Sequence, residues 1–278
     1  MLTDYHVHLR EDAANTEAER FFTAANAERY REAASERGIT ELGVSEHVHR
    51  FADALSIWQH PFWIENATDD VDAYCGFVKE ETDLRLGIEM DFLPGKEDQI
   101  QNFLDGRPWD YVVGSVHFLK DLAVDHEGWD VWDPYPAAPD RIWARYFETV
   151  AESARSGLYD IISHPDLVKI WGDRRPVPEG DLRRFYEPLV EAVADSGVAV
   201  ELSTAGLRKP VAEIYPAPAL LAMLADAGAV IALSSDAHTP QDVGAGYDAA
   251  LALLAEHGIT EIAVFDGRER RLEPIGRA

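Results

Sequence analysis

Residues 231–238 read Ile231-Ala232-Leu233-Ser234-Ser235-Asp236-Ala237-His238. A short apolar run of strand length ends on a carboxylate and an imidazole, two side chains that bind zinc, iron or manganese. The spacing repeats at the start of the chain, where Leu2-Thr3-Asp4-Tyr5 leads into His6-Val7-His8. Five more strand-like runs lie between these two. Glu41–His47 ends on His47, Leu84–Phe92 carries Glu89, Tyr111–His117 ends on His117, and Asp160–His164 ends on His164. The sixth of the seven, Val198–Leu202, carries Glu201 and ends without a histidine. Any one of these histidines is as well explained by a core or loop position. Their recurrence at strand ends is not, because strands that meet at one face of a barrel bring distant ligands into one pocket.

Helical stretches separate the runs. Residues 16–37 place Phe21, Phe22, Ala25, Tyr30 and Ala33 at helical spacing before Gly38. Residues 139–157, 181–196 closed by Gly197, 218–227 closed by Gly228, and about 241–257 read the same way. A last strand is expected over Glu261–Val264. Strands alternating with helices imply parallel pairing through right-handed crossovers. Two segments break the alternation after strands, residues 48–67 and 121–138. Both are rich in aromatic residues and lie on the ligand face, as walls of a pocket or as cores of their own loops.

At 278 residues the chain fits a single domain over 1–278, the size of one α/β barrel, and 46% apolar residues supply a core. Cys75 is the only cysteine, so no internal disulfide forms, which fits a reducing cytoplasm. The first residues carry no basic segment followed by an apolar run, and no apolar run approaches the roughly 20 residues of a membrane span. With 25 Lys plus Arg against 51 Asp plus Glu, the net charge is −26. That argues against a nucleic-acid partner and against an anionic membrane. A small anionic substrate would need local positive charge, which bound divalent cations supply.

Read together, these stretches resemble the PHP (polymerase and histidinol phosphatase) family, in its histidinol-phosphatase branch. The matching pieces are Asp4-Tyr5-His6-Val7-His8, Ser45-Glu46-His47, Gly87-Ile88-Glu89-Met90-Asp91 and Gly114-Ser115-Val116-His117-Phe118. Ser163-His164-Pro165-Asp166, Glu201-Leu202-Ser203-Thr204-Ala205-Gly206-Leu207-Arg208 and Ser234-Ser235-Asp236-Ala237-His238 follow in the family's order. The resemblance implies a distorted (β/α)7 TIM-like barrel with two to three divalent ions (Zn, Fe or Mn) at the C-terminal strand ends. It implies a first ion on His6, His8, Glu89 and Asp236, and a second on Glu89, His117 and His164 with Glu89 as the bridge. A third would sit on His47 and His238 with a ligand from residues 9–14, where Asp12 is the choice and Glu11 the alternative.

The activity implied is hydrolysis of L-histidinol phosphate, a small phosphorylated substrate of histidine biosynthesis, by a water acidified between cations. Another small ester, a nucleotide or sugar phosphate, is the alternative. An amidohydrolase would want a lysine at a strand end, where none stands, and a non-catalytic metal module would have lost ligands. Asp12, His238 and a metal-bound water are the candidates for protonating the leaving alkoxide, beside the ligands Glu89 and Asp236. Arg208, with Arg10 second, is a candidate to clamp the phosphate. Glu46, Asp91 and Asp166 either meet the substrate ammonium or orient a histidine.

Overall fold

The computed structural model describes residues 1–11, 20–134 and 138–276. Seven strands form one sheet in sequence order: β1 (Thr3–Asp4), β2 (Glu41–His47), β3 (Arg85–Asp91), β4 (Tyr111–Ser115), β5 (Ile161–Ile162), β6 (Ala199–Ser203) and β7 (Ile231–Ser234). Every neighbouring pair is parallel. The sheet curls until its two edges almost meet. Past β7, Ala237 bridges in parallel to Val7, with the His8 N–H donating to the Ala237 carbonyl at 2.8 Å. The Ser235 N–H donates to the Asp4 carboxylate at 2.9 Å on the same seam. The repeated spacing of His6-Val7-His8 and Asp236-Ala237-His238 is therefore the seam of a nearly closed (β/α)7 barrel.

Alternation sorts each strand into an inner and an outer face. Leu86, Ile88 and Met90 of β3 join the large core beneath the helices, as do Val200 and Leu202 of β6. Tyr111, Val113, Ile161, Ala199 and Ala232 point inward and form a second cluster with Tyr5. The inner Tyr111 ring takes the room that side chains would need at two positions. A Cβ at Gly43 or Gly87 would come within 2.3 Å of it. The inner face is apolar at the strand beginnings and polar at their ends, where Glu89, Ser115, Glu201 and Ser234 stand.

The expected eighth strand does not extend the barrel. Glu261–Asp266 (β8) pairs antiparallel with Glu269–Pro274 (β9), and Ala263, Val264 and Phe265 close the barrel floor. Arg268 fixes the hairpin by donating to Asp160 at 2.9 Å and to the Leu158 carbonyl at 2.7 Å.

The outer layer contains α1 (Ala24–Glu36), α2 (Pro61–Asn66), α3 (Val71–Glu81), α4 (Glu97–Leu104), α5 (Pro139–Arg155), α6 (Arg183–Ser196), α7 (Pro218–Asp226) and α8 (Tyr247–Glu256). α1 starts at Ala24, not at residue 16, because the Thr23 side chain accepts the Asn26 N–H and caps it there. Residues 16–19 lie outside the described residues. The unread helix α3 is capped by Asp70, which accepts from the Asp72 and Ala73 N–H groups. Among the described residues no helix is long and apolar enough to cross a membrane.

Candidate metal centre

The polar ends of the seven strands converge on one carboxylate. Glu89 lies opposite His47 in the β2–β3 register and is 2% exposed. Its Oε1 is 3.3 Å from His6 Nε2, 3.3 Å from His117 Nε2 and 3.2 Å from His164 Nε2. Its Oε2 contacts His47 Nδ1 and lies 3.7 Å from His8 Nε2. Across the seam, Asp236 Oδ1 is 3.7 Å from His6 Nε2, 3.5 Å from His8 Nε2 and 3.6 Å from His238 Nδ1. Asp236 holds a left-handed backbone, φ 50°, which an aspartate tolerates at modest strain and which turns its carboxylate toward His6 and His8. Eight residues from six strand ends thus share one pocket.

Three of their groupings place ligand atoms within 4.8 Å of one another: His6, His8 and Asp236; His6, Glu89 and His164; and His8, His47 and His238. His6 Nε2 and both ring nitrogens of His8 are buried with no hydrogen-bond partner. Leaving such atoms unpaired costs about 1–3 kcal/mol each. Cations would satisfy them, and the donor set of imidazoles and carboxylates suits zinc, iron or manganese. These residues therefore fit divalent metal ions.

The electrostatics of the chain alone agree. Burial opposes charge on Glu89, yet the His47, His6 and His117 imidazoles outweigh it and hold the carboxyl well below the usual range. Burial is likewise outweighed at Asp236, chiefly by His6 and His8. Glu201, Glu89 and Asp236 overcome burial to raise His6 well above an ordinary imidazole, and Asp91 and Glu89 raise His117 to about 10. His8, buried beside His238, is pushed down to about 3. Without cations, protons on some imidazoles balance the buried carboxylates.

A second layer holds the ligand atoms in place. Glu201, on the strand that ends without a histidine, accepts from His6 Nδ1 at 2.8 Å, the His164 N–H at 2.6 Å and Ser234 Oγ at 2.5 Å. Asp91 accepts from His117 Nδ1 at 2.7 Å. Both acids thereby turn Nε2 of their histidine toward Glu89. Ser115 Oγ donates to Glu89 Oε1 at 2.7 Å. Of the three acids considered for a substrate ammonium, only Asp91 lines the cleft. Glu46 accepts from the Leu9 and Arg10 N–H groups and pairs with Arg50. Asp166 is bound to Lys169 and the Ala217 N–H.

The cluster opens into a cleft of about 380 Å³. His47, His117 and Asp91 form its inner wall. Segment 48–67 contributes His49, Phe62 and Asn66, and segment 121–138 contributes Asp125 and His126. Both segments also have cores of their own. Trp63 and Trp132 are buried, and Trp58 stacks on His60 at 4.4 Å. Of the two arginines expected at the phosphate, Arg10 lines the cleft and pairs with Asp69. Arg208 does not line it. Its guanidinium donates to the Ser235 carbonyl at 2.7 Å and the Asp236 carbonyl at 3.1 Å. Those carbonyls lie on the turn after β7, which a side chain next to the seam reaches before it reaches the cleft. Glu11 lines the cleft, and Asp12 lies outside the described residues.

Sequence comparison matches residues 14–205 to the PHP domain family. The "Probable histidinol-phosphatase" of Deinococcus radiodurans is 34% identical over 250 residues, covering 88% of this chain and 91% of the relative. The "Histidinol-phosphatase" of Bacillus subtilis is 26% identical, covering 80% of this chain and 90% of the relative. Among solved structures, the histidinol phosphate phosphatase from Lactococcus lactis complexed with zinc, L-histidinol and phosphate superposes with a TM-score of 0.71. That match covers 97% of this chain and 98% of the other at 19% identity, and it shows a shared fold. With its motifs at the strand ends of a seven-stranded parallel barrel, the chain belongs to the PHP family, in its histidinol-phosphatase branch.

Proposed function

We propose that this protein is a divalent-metal-dependent phosphomonoesterase that cleaves L-histidinol phosphate to L-histidinol and phosphate. The convergence of five imidazoles on the Glu89 carboxylate carries the chemistry. The substrate is taken from the D. radiodurans relative, matched over nearly its whole length.

In this reading His6, His8, Glu89 and Asp236 hold one ion, and Glu89, His117 and His164 hold a second, with Glu89 shared. His47 and His238 hold a third, completed by Asp12 or Glu11. Ions held by these residues would supply charge to neutralise the phosphate oxygens and would lower the pKa of a bound water. The chain's own groups do the rest. Glu201 and Asp91 fix the ring orientation of His6 and His117. Asp236 and His238 are the most solvent-exposed of the cluster together with His47 and His117. Whichever of His238 and Asp12 is not engaged by an ion can protonate the departing alkoxide. Phe62 and Phe118 give the cleft an apolar side for the imidazole of the substrate. Asp91 and Asp125 give it negative charge for the ammonium. The net charge of −26 opposes nucleic-acid and anionic-membrane partners, and a small metabolite substrate fits a cytoplasmic setting.

The test is phosphate release from L-histidinol phosphate by zinc- or manganese-reconstituted protein, beside a panel of nucleotide and sugar phosphates. Preference for histidinol phosphate by an order of magnitude or more in kcat/KM is expected. Preference for another ester would move the assignment within the phosphoesterases, and no turnover of any ester would end it.

A further inference from the structure

We propose that Lys209, rather than Arg208, grips the phosphate end of the substrate, and that Arg208 positions Asp236. The inference rests on the phosphomonoesterase reading above and names a residue that the sequence motifs pass over.

Among the described residues, the lysine and arginine side chains that line the cleft are Arg10, Arg50 and Lys209. Two of them are committed. Arg10 pairs with Asp69, and Arg50 pairs with Glu46 and donates to the Arg10 carbonyl at 2.9 Å. The Lys209 ammonium makes no hydrogen bond or ion pair among the described residues, and the side chain is half-buried at the end of the turn Ala205–Arg208. Its backbone is pinned on both sides. The Lys209 N–H donates to the Gly206 carbonyl at 3.2 Å, and the Ala212 N–H donates to the Lys209 carbonyl at 2.9 Å.

A half-buried lysine that lines the cleft with no hydrogen-bond or ion-pair partner among the described residues keeps its ammonium available there. An anion in the cleft supplies the missing partner. A phosphate dianion held at Glu89 and Asp236 by cations would present its outer oxygens to this wall, where a mobile ammonium acts as a point charge. Arg208 is placed otherwise. Its bonds to the Ser235 and Asp236 carbonyls, and its 3.4 Å contact to Asp242, clamp the turn that carries Asp236.

The experiment uses metal-reconstituted protein and the variants Lys209→Met, Lys209→Arg and Arg208→Met. It reads KM for L-histidinol phosphate, inhibition by inorganic phosphate, inhibition by L-histidinol, and zinc content after dialysis. Lys209→Met is expected to weaken phosphate inhibition about tenfold or more. KM should rise in step, with histidinol inhibition and zinc content unchanged, and Lys209→Arg should restore most of the loss. Arg208→Met is expected to lose zinc on dialysis and to keep phosphate inhibition at saturating zinc. Unchanged phosphate inhibition in Lys209→Met overturns the assignment, as does loss of phosphate affinity in Arg208→Met at saturating zinc. If the wild type binds phosphate but does not turn over histidinol phosphate, the substrate reading fails. The Lys209 assignment is then still judged by phosphate inhibition. If the wild type binds no phosphate, both fail.

Discussion

Replacing Glu201 with Gln tests how far the metal cluster depends on a residue that itself touches no proposed ion. Glu201 is 1% exposed and accepts three hydrogen bonds, from His6 Nδ1, the His164 N–H and Ser234 Oγ. Glutamine keeps the shape but removes the charge and turns one acceptor atom into a donor. At least one of three buried donors is then left facing an N–H, and the others lose charge assistance. Hydrogen bonds to charged groups are worth about 1.5–3 kcal/mol each, so a loss of roughly 2–4 kcal/mol in stability is expected. The larger consequence is at the ligands. His6 loses the acid that selects its tautomer, and His164 loses the anchor of its backbone. Groups in this role typically change metal affinity or activity by about 10–100-fold. The assay is zinc retention on dialysis against graded chelator, with kcat/KM measured at limiting and saturating zinc and chemical denaturation on the same samples. Weaker zinc retention with partial recovery of turnover at saturating zinc is the expected pattern. Wild-type zinc retention and kcat/KM in a folded Glu201→Gln protein would refute the reasoning.

Further expectations are as direct. Glu89→Gln lowers turnover by orders of magnitude while far-UV circular dichroism stays native, since Glu89 contacts five imidazoles but no core side chain is lost; full activity would contradict its bridging place. Zinc binding to chelated protein at pH 7 releases protons, because nearby carboxylates hold His6 and His117 protonated above the ordinary imidazole range and metal displaces those protons. Affinity therefore falls as pH falls, and calorimetry in buffers of different ionisation enthalpy reads the sign. Phe265→Ala opens the barrel floor and costs about 3–5 kcal/mol in denaturant unfolding, with kcat/KM of the folded protein kept, because the floor lies at the opposite end from the cluster. Gly87→Ala would bring a methyl within 2.3 Å of the Tyr111 ring and lower the melting temperature.

Much of the barrel was legible because each strand announces itself locally. β2 was read over Glu41–His47 and found there, and β3, β4 and β6 differ from their readings by a residue or two at the ends. β5 is shorter than read, only Ile161–Ile162, although backbone bonds run on at both ends, from the Asp160 N–H to the Val112 carbonyl and from the Ser163 N–H to the Gly114 carbonyl. The last strand was read where it is found, but its place outside the barrel was not legible. Glu261–Val264 has the apolar pattern of a barrel strand, and nothing in the pattern tells a plug from a stave. Its partner, Glu269–Pro274, is nearly all polar and exposed, so period and burial gave no cue.

The ligand residues were legible from their types and their places at strand ends. Their supports were less so. Glu201 was noticed only as the strand without a histidine, yet a buried acid beside so many imidazoles needs donors, and that was the available signal. Arg208 illustrates the converse. A guanidinium suits a phosphate, but it equally suits two backbone carbonyls, and only the fold brings the Ser235 and Asp236 carbonyls within its reach.

The most direct test of the convergence is an anomalous difference map from crystals grown with zinc. Peaks bordered by His6, His8, Glu89 and Asp236, and by Glu89, His117 and His164, are predicted. A map without peaks among these side chains, from protein that nonetheless releases phosphate from histidinol phosphate, would contradict the account.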